Sequence, residues 1–168
     1  MFILDGKPLS PDEASPSLLR WRLDRGNHVK AGSVAGTQRP DGRWRVGVCG
    51  RLYYTYRVYV YLSTGRDLVD SVVDHKNGDS SHHAPVNLRV ATRGQNNANR
   101  RPRSGYKGVS RHAATGLWRA RINVNGKEKT TYHPTAETAA RAYDELATQA
   151  HGEFAFLNFP EVNYVHSS

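Results

Sequence analysis

From Trp118 to Val124 the chain alternates strictly, with Trp118, Ala120, Ile122 and Val124 on one side and Arg119, Arg121 and Asn123 on the other. A period of two is what a strand with one buried face requires. Val124-Asn125-Gly126-Lys127 follows at once. Asn-Gly tolerates positive φ at both central positions of a tight hairpin, so a second strand is expected to run back along the first. Pro134-Thr135-Ala136-Glu137 then opens a helix, with Thr135 as its cap and Glu137 in the first turn, where the helix dipole favours an acid. Ala139, Ala140, Tyr143, Leu146, Ala147 and Ala150 recur at helical spacing until Gly152 stops the run. An apolar sheet face and an alanine-rich helix stripe bury each other and leave the arginine face to solvent. The expected result is a three-stranded sheet with one helix behind it.

That arginine face sits inside a marked concentration of charge. The chain of 168 residues carries a formal net charge of +9, but residues 100–133 hold nine basic and one acidic side chain, while 134–168 hold one and five. Such a block, interleaved with aromatics, fits a polyanion-binding face. On charge alone a solvated basic loop accounts for it equally well. A single cysteine, Cys49, excludes an internal disulfide and a multi-cysteine zinc site, and is read here as a strand residue. No apolar run approaches the ~20 residues of a membrane helix. Met1 to Leu4 is apolar but is ended by Asp5 and Lys7, which does not make a signal peptide. The chain is therefore expected to be cytoplasmic and not secreted.

The rest of the chain is short elements between turn signals. Pro11 to Pro16 reads as a polar stretch, with ordered structure beginning at Ser17-Leu18-Leu19-Arg20-Trp21-Arg22. Two alternating runs between Val34 and Tyr54, split by Pro40-Asp41-Gly42 and Cys49-Gly50-Arg51, predict small antiparallel hairpins. Tyr56, Tyr59, Val60 and Ser63 share a helical face, predicting a short helix that ends at Gly65. Leu68 to His75 reads as an apolar strand, Lys76 to Val86 as a polar loop, and Asn87 to Thr92 as a lead into a polar helix reaching Arg100, with Thr92 as cap.

Strand, loop and helix together place Asp74-His75 at a strand end, Asn87 twelve residues past His75, and Asn96 nine beyond that. Phosphodiester hydrolysis needs an activated water, a cation against the leaving oxygen's charge and groups that hold the phosphate. A histidine can take water's proton near neutral pH. A carboxylate and an amide oxygen are hard ligands suited to Mg2+ or Mn2+ rather than zinc. Taken singly, the same residues serve equally as an ordinary strand end, turn and cap. His82 and His83 are adjacent and point apart, so a joint metal role is not expected. Arg89 and Arg93, on or just before the helix, are candidates for phosphate contact or for plain exposure.

The order Val73-Asp74-His75-Lys76-Asn77-Gly78-Asp79, Asn87-Leu88-Arg89-Val90-Ala91-Thr92 and Gln95-Asn96-Asn97 resembles the ββα-metal motif of the His-Asn-His (HNH) endonucleases, closest to the phage and intron-encoded homing type. The resemblance implies His75 as general base, Asp74 as a metal ligand, Asn87 as the residue that pins the loop, and Asn96, where many members have a second histidine, as the other ligand. Ser104 to Val109, Gly116 to Ile122, Thr135 to Asp144 and Leu157-Asn158-Phe159-Pro160 resemble the Apetala/ethylene-response-factor DNA-binding domain, which implies Lys107, Arg111, Trp118, Arg119 and Arg121 on or beside the DNA-facing sheet. Alternation puts Trp118 on the inner face instead. Thr130-Thr131 and His133 depart from that family's usual sequence and leave its base contacts open. The first region resembles the N-terminal part of the same nucleases and implies DNA contact and scaffolding.

Together these readings describe a small modular α+β protein. Its parts would be an N-terminal hairpin region over 1–67, an HNH ββα-metal core over 68–100, a basic linker at 101–105, a three-stranded sheet plus helix over 106–160 and a tail at 161–168. The expected activity is site-specific, metal-dependent cleavage of double-stranded DNA by a monomer, with one Mg2+ or Mn2+ per active site and no small-molecule cofactor. One active site per chain implies a nick in one strand unless two chains assemble. A non-catalytic DNA-binding regulator is the alternative, and an RNA-binding basic protein a weaker one.

Overall fold

The structure is a computed structural model that describes residues 8–124 and 126–160. The apolar start at Met1 to Leu4, Asn125 of the Asn-Gly turn and the tail at 161–168 lie outside the described residues. The chain is α+β throughout and divides into two compact units, Met1–Arg93 and Gly94–Ser168. Among the described residues no helix is long and apolar enough to cross a membrane.

The first unit is built from hairpins. β1 (Leu9–Pro11) pairs antiparallel with β2 (Leu19–Trp21), so order begins earlier than the Pro- and Ser-containing stretch implies. The reason is local: buried Ser15 and Ser17 both donate to the Leu19 carbonyl, at 3.0 Å each, and close the connection with their own hydroxyls. β3 (Thr37–Gln38), β4 (Trp44–Val48) and β5 (Arg51–Tyr54) form an antiparallel sheet in that order. Cys49 is not a strand residue. With Val48 paired to Arg51, Cys49 and Gly50 form the two-residue turn, and both have positive φ, +49° and +72°, the pattern a right-twisted hairpin demands.

α1 (Thr55–Thr64) follows directly and stops at Gly65, whose φ of +68° is the left-handed ending that favours glycine. β6 (Val72–His75) and β7 (Leu88–Ala91) make a separate antiparallel pair. The strand is shorter than Leu68 to His75, because Asp67 accepts the Val69 N–H in a local turn that leaves Val69 exposed. Leu9, Leu19, Val46, Val58, Leu68, Val73 and Leu88 meet in one core, so every hairpin contributes to the packing that carries β6.

In the second unit α2 (Arg93–Asn99) precedes β8 (Val109–Arg111), β9 (Trp118–Val124) and β10 (Lys127–His133), which lie in the order β10-β9-β8. α3 (Ala136–His151) packs on one face. Ala120, Ile122, Ala139, Tyr143 and Ala147 form the core, and half-buried Trp118 packs against it on the inner face. Thr135 caps α3 in a reciprocal pair with Thr138: the Thr138 N–H donates to Thr135 Oγ1 at 3.1 Å and the Thr135 N–H to Thr138 Oγ1 at 3.3 Å.

Small residues let helix and sheet approach closely, and Gly108 is where they meet most tightly. It has φ +71°, and a Cβ there would stand 2.1 Å from the Tyr143 ring and 2.8 Å from the Arg121 carbonyl oxygen. Gly108→Ala should therefore destabilise this unit by about 2–4 kcal/mol, combining left-handed strain with overpacking. Urea or thermal unfolding reads the effect; an unchanged midpoint would mean the ring yields freely.

Candidate active site

The register of β6 against β7 sets the two faces of the hairpin. Asp74 lies opposite Arg89 and His75 opposite Leu88. Successive strand residues point to opposite faces, so Asp74 and His75 are delivered by one strand to different surroundings. Asp74 meets Arg89, whose Nε and Nη2 both lie 2.9 Å from its Oδ2. The side chains are 5% and 10% exposed, which makes this a buried ion pair held by two charge-assisted contacts. Arg89, a candidate for phosphate contact or for plain exposure, is buried with its guanidinium against Asp74 and orients that carboxylate.

The loop between the strands is stapled by Asn87. Its Oδ1 accepts the Asn77 N–H at 3.0 Å, and its Nδ2 donates to Asn77 Oδ1 at 3.0 Å and to the His82 carbonyl at 2.7 Å. Its own carbonyl accepts the Lys76 N–H at 2.8 Å. Asn87 is 7% exposed, so a single buried amide closes both ends of the 76–82 segment. The turn begins on His75 itself, whose carbonyl accepts the Gly78 N–H at 2.8 Å.

His75 sits among rings. Its Nε2 lies 3.0 Å from Nδ1 of His83, and the edge of the Tyr56 ring meets it at 5.1 Å and 75°. Tyr56 stacks on His83 at 5.1 Å and on Tyr54 at 5.4 Å. Arg45 lies over Tyr54 and its Nη2 donates to the Tyr54 hydroxyl at 2.9 Å. Burial, and secondarily the neighbouring His83, pushes His75 down to about 4, while Asp74 pulls the other way. Burial also lowers His83. At neutral pH His75 is thus a neutral imidazole with one lone pair. His83 and Tyr56 are site residues that the sequence reading missed. The one available signal was the histidine pair in the loop, and it was set aside because adjacent side chains diverge, which does not prevent one of them from reaching His75.

The remaining predicted residues fall as follows. Arg93 is exposed at the start of α2. Asn96 is partly exposed on α2, in the second unit. Lys107 does not face solvent from the sheet: its Nζ donates to the carbonyls of Asn97 (3.3 Å), Ala98 and Arg100 (2.8 Å) at the end of α2. Burial lowers it to about 8. Arg119 and Arg121 lie on the outer face, where Arg119 Nη2 donates to Ser110 Oγ at 3.3 Å and Arg121 Nη1 to Glu128 at 3.3 Å. Arg111 pairs across from Trp118 and is exposed at the sheet edge.

The donor set bears on a metal. Among the described residues no group of three or more His, Cys, Asp or Glu could hold an ion. One buried carboxylate with an amide oxygen, completed by water and phosphate, suits Mg2+ or Mn2+, and Asp74 in its fixed orientation fits that use.

The Asn87 staple and the buried His75 each make a measurable claim. Asn87→Ala should cost about 2–3 kcal/mol in chemical unfolding, at roughly 1 kcal/mol for each of its three side-chain hydrogen bonds. It should also speed exchange of the Asn77 amide. For His75, NMR titration of the folded protein should find the group near 4 rather than 6.5. Because the unfolded chain then binds the proton first, stability should be level above about pH 6.5 and fall as pH drops toward 4. A His75 titration at 6.5 would contradict the burial argument.

No family model matches the chain, and no solved structure matches it significantly. Two curated proteins do. Over 110 residues the chain is 32% identical to an uncharacterised HNH endonuclease of Acanthamoeba polyphaga mimivirus, covering 65% of this chain and 58% of that protein. Over 65 residues it is 42% identical to an ethylene-responsive transcription factor of Arabidopsis thaliana, covering 37% of this chain and 15% of that one. The chain thus spans a little over half of the first relative and a small part of the second. It is distantly related to a viral protein named as an HNH endonuclease and shares a segment with a plant transcription factor.

Proposed function

We propose that this chain is a metal-dependent DNA endonuclease in which His75 is the general base and the second unit binds double-stranded DNA. The observation that carries the reading is the hairpin end. One strand delivers a neutral, buried histidine and a buried, oriented carboxylate at consecutive positions, and Asn87 staples the loop that follows them. The two relatives support it, one through its nuclease name and the other through its transcription-factor name.

In this reading His75 takes a proton from water, the hydroxide oxygen bonds to phosphorus, and the bond to the leaving sugar oxygen breaks with its electron pair. Asn87 keeps the His75 loop in place and Arg89 keeps the Asp74 carboxylate aimed. Asp74 would be one ligand of the ion, and Asn96, at the position where the resemblance has a family ligand, would be the other. When bound, a single Mg2+ or Mn2+ supplies the positive charge that the developing phosphorane and leaving oxygen need. Arg119 and Arg121 on the outer sheet face contact DNA, with exposed Arg93 and Arg111 as further phosphate contacts. One base per chain makes a single-strand nick the expected product of a monomer, and the homing type of the resembling nucleases makes a specific site the expected target.

Incubation with supercoiled plasmid in Mg2+ should give open circles, and EDTA should prevent them. His75→Ala should lower cleavage by about 10²–10⁴-fold, the usual weight of a general base, with DNA affinity nearly unchanged. Arg119→Ala and Arg121→Ala should weaken binding and reduce the slope of log affinity against log salt by up to about one each. DNA binding without cleavage under any divalent ion would favour the non-catalytic regulator.

A further inference from the structure

His83 stands in an unusual position for a loop histidine. Its Nδ1 lies 3.0 Å from Nε2 of His75, its ring lies flat on Tyr56 at 5.1 Å and 23°, and its Nε2 is buried without a hydrogen-bond partner. A histidine placed for its own stability satisfies both nitrogens, since a buried polar atom left without a partner is destabilising. His83 gives up one of them to bring the other onto His75.

We propose that His83 is the positioning residue of the catalytic base: its Nδ1 accepts the Nε2–H of His75 and thereby fixes both the tautomer and the aim of that imidazole. This rests on the endonuclease reading, because His75 must keep a lone pair to accept water's proton. Were His83 the donor, it would consume the Nε2 lone pair of His75 and leave Nδ1 protonated, and no site for a proton would remain. With His83 accepting, Nε2 keeps its hydrogen and the basic lone pair of His75 lies on Nδ1. The partner of one ring nitrogen sets the protonation of the other. An imidazole held in the wrong tautomer cannot act as base even where its geometry is intact.

The ring stack explains how a loop residue can do this reliably. Tyr56 lies in the first turn of α1, with Tyr54 stacked on it at 5.4 Å and 13° and Arg45 bonded to the Tyr54 hydroxyl. His83 is thereby braced by stacking on one face. The loop backbone is held independently, through Asn87 and the His82 carbonyl. Neither constraint involves Asp74.

Two substitutions separate the polar atom from the ring. His83→Phe keeps the stack on Tyr56 and removes Nδ1; His83→Asn loses the ring and keeps a polar atom at the same distance from the backbone. Tautomer state is read first, by long-range proton–nitrogen NMR of the metal-free full chain at neutral pH. His75 should carry its proton on Nε2 in the wild type and in His83→Asn, and should become a tautomer mixture in His83→Phe. Single-turnover cleavage in Mg2+ should then fall at least ~10-fold in His83→Phe, with DNA affinity unchanged, and recover to within a few-fold in His83→Asn. A wild-type His75 protonated on Nδ1, or a His83→Phe enzyme as fast as the wild type, overturns the proposal. Wild-type inactivity on every DNA overturns the endonuclease reading instead, while the tautomer measurement still decides whether the His75–His83 bond has the stated direction.

Discussion

The antiparallel register of two four-residue strands governs the candidate site. With His75 opposite Leu88 and Asp74 opposite Arg89, the pleat sends the imidazole to one side of the hairpin and the carboxylate to the other. Side chains alternate with a period of two, so a slip of one residue would exchange them. That register is enforced from both ends. Val73 and Leu88 are buried in the first unit's core, and Asn87 ties the intervening loop to Asn77 and His82. The site is thus an outcome of core packing and one amide, not of an independent catalytic framework.

The electrostatics follow from this placement. Asp74 is buried with a guanidinium beside it, and a buried carboxylate requires such a partner. His75 is buried among rings and another imidazole, surroundings that disfavour a charged ring and lower its affinity for a proton. One strand end therefore holds a charged group and a neutral one in adjacent positions. That division of labour suits a ligand and a base. Neighbouring β4, β5 and the first turn of α1 supply Arg45, Tyr54 and Tyr56, which link the N-terminal hairpins to His75 physically.

In the second unit the sheet and helix are tied to α2 by side chains the sequence had pointed elsewhere. Lys107 ends α2 by donating to two of its last carbonyls and to that of Arg100 just beyond, where a cation is favoured by the helix dipole. Asn158 bonds Lys107 through both its backbone groups and takes a further bond to Asp144. The result is a unit whose outer sheet face carries Arg119 and Arg121, while Lys107 is bonded at the end of α2.

By itself the sequence determined what local rules control. The alternation of β9, the glycine-ended α1, the Thr135 start of α3 and the inner placement of Trp118 all follow from periodicity and capping, which act over a few residues. So did the pairing of Asp74 and His75 at a strand end. The tertiary structure alone decided what those residues touch. Lys107 and Arg89 stood as candidates for DNA contact because charge is visible in a sequence and partners are not; the fold sets one at the end of a helix and the other against Asp74. Cys49 read as strand because it borders one, yet the two-residue turn needed it in the left-handed region. His83 and Tyr56 were invisible as site residues for the same reason. Hydrogen bonds and ring stacking between segments distant in the chain depend on how the core brings those segments together, and no short-range pattern encodes that.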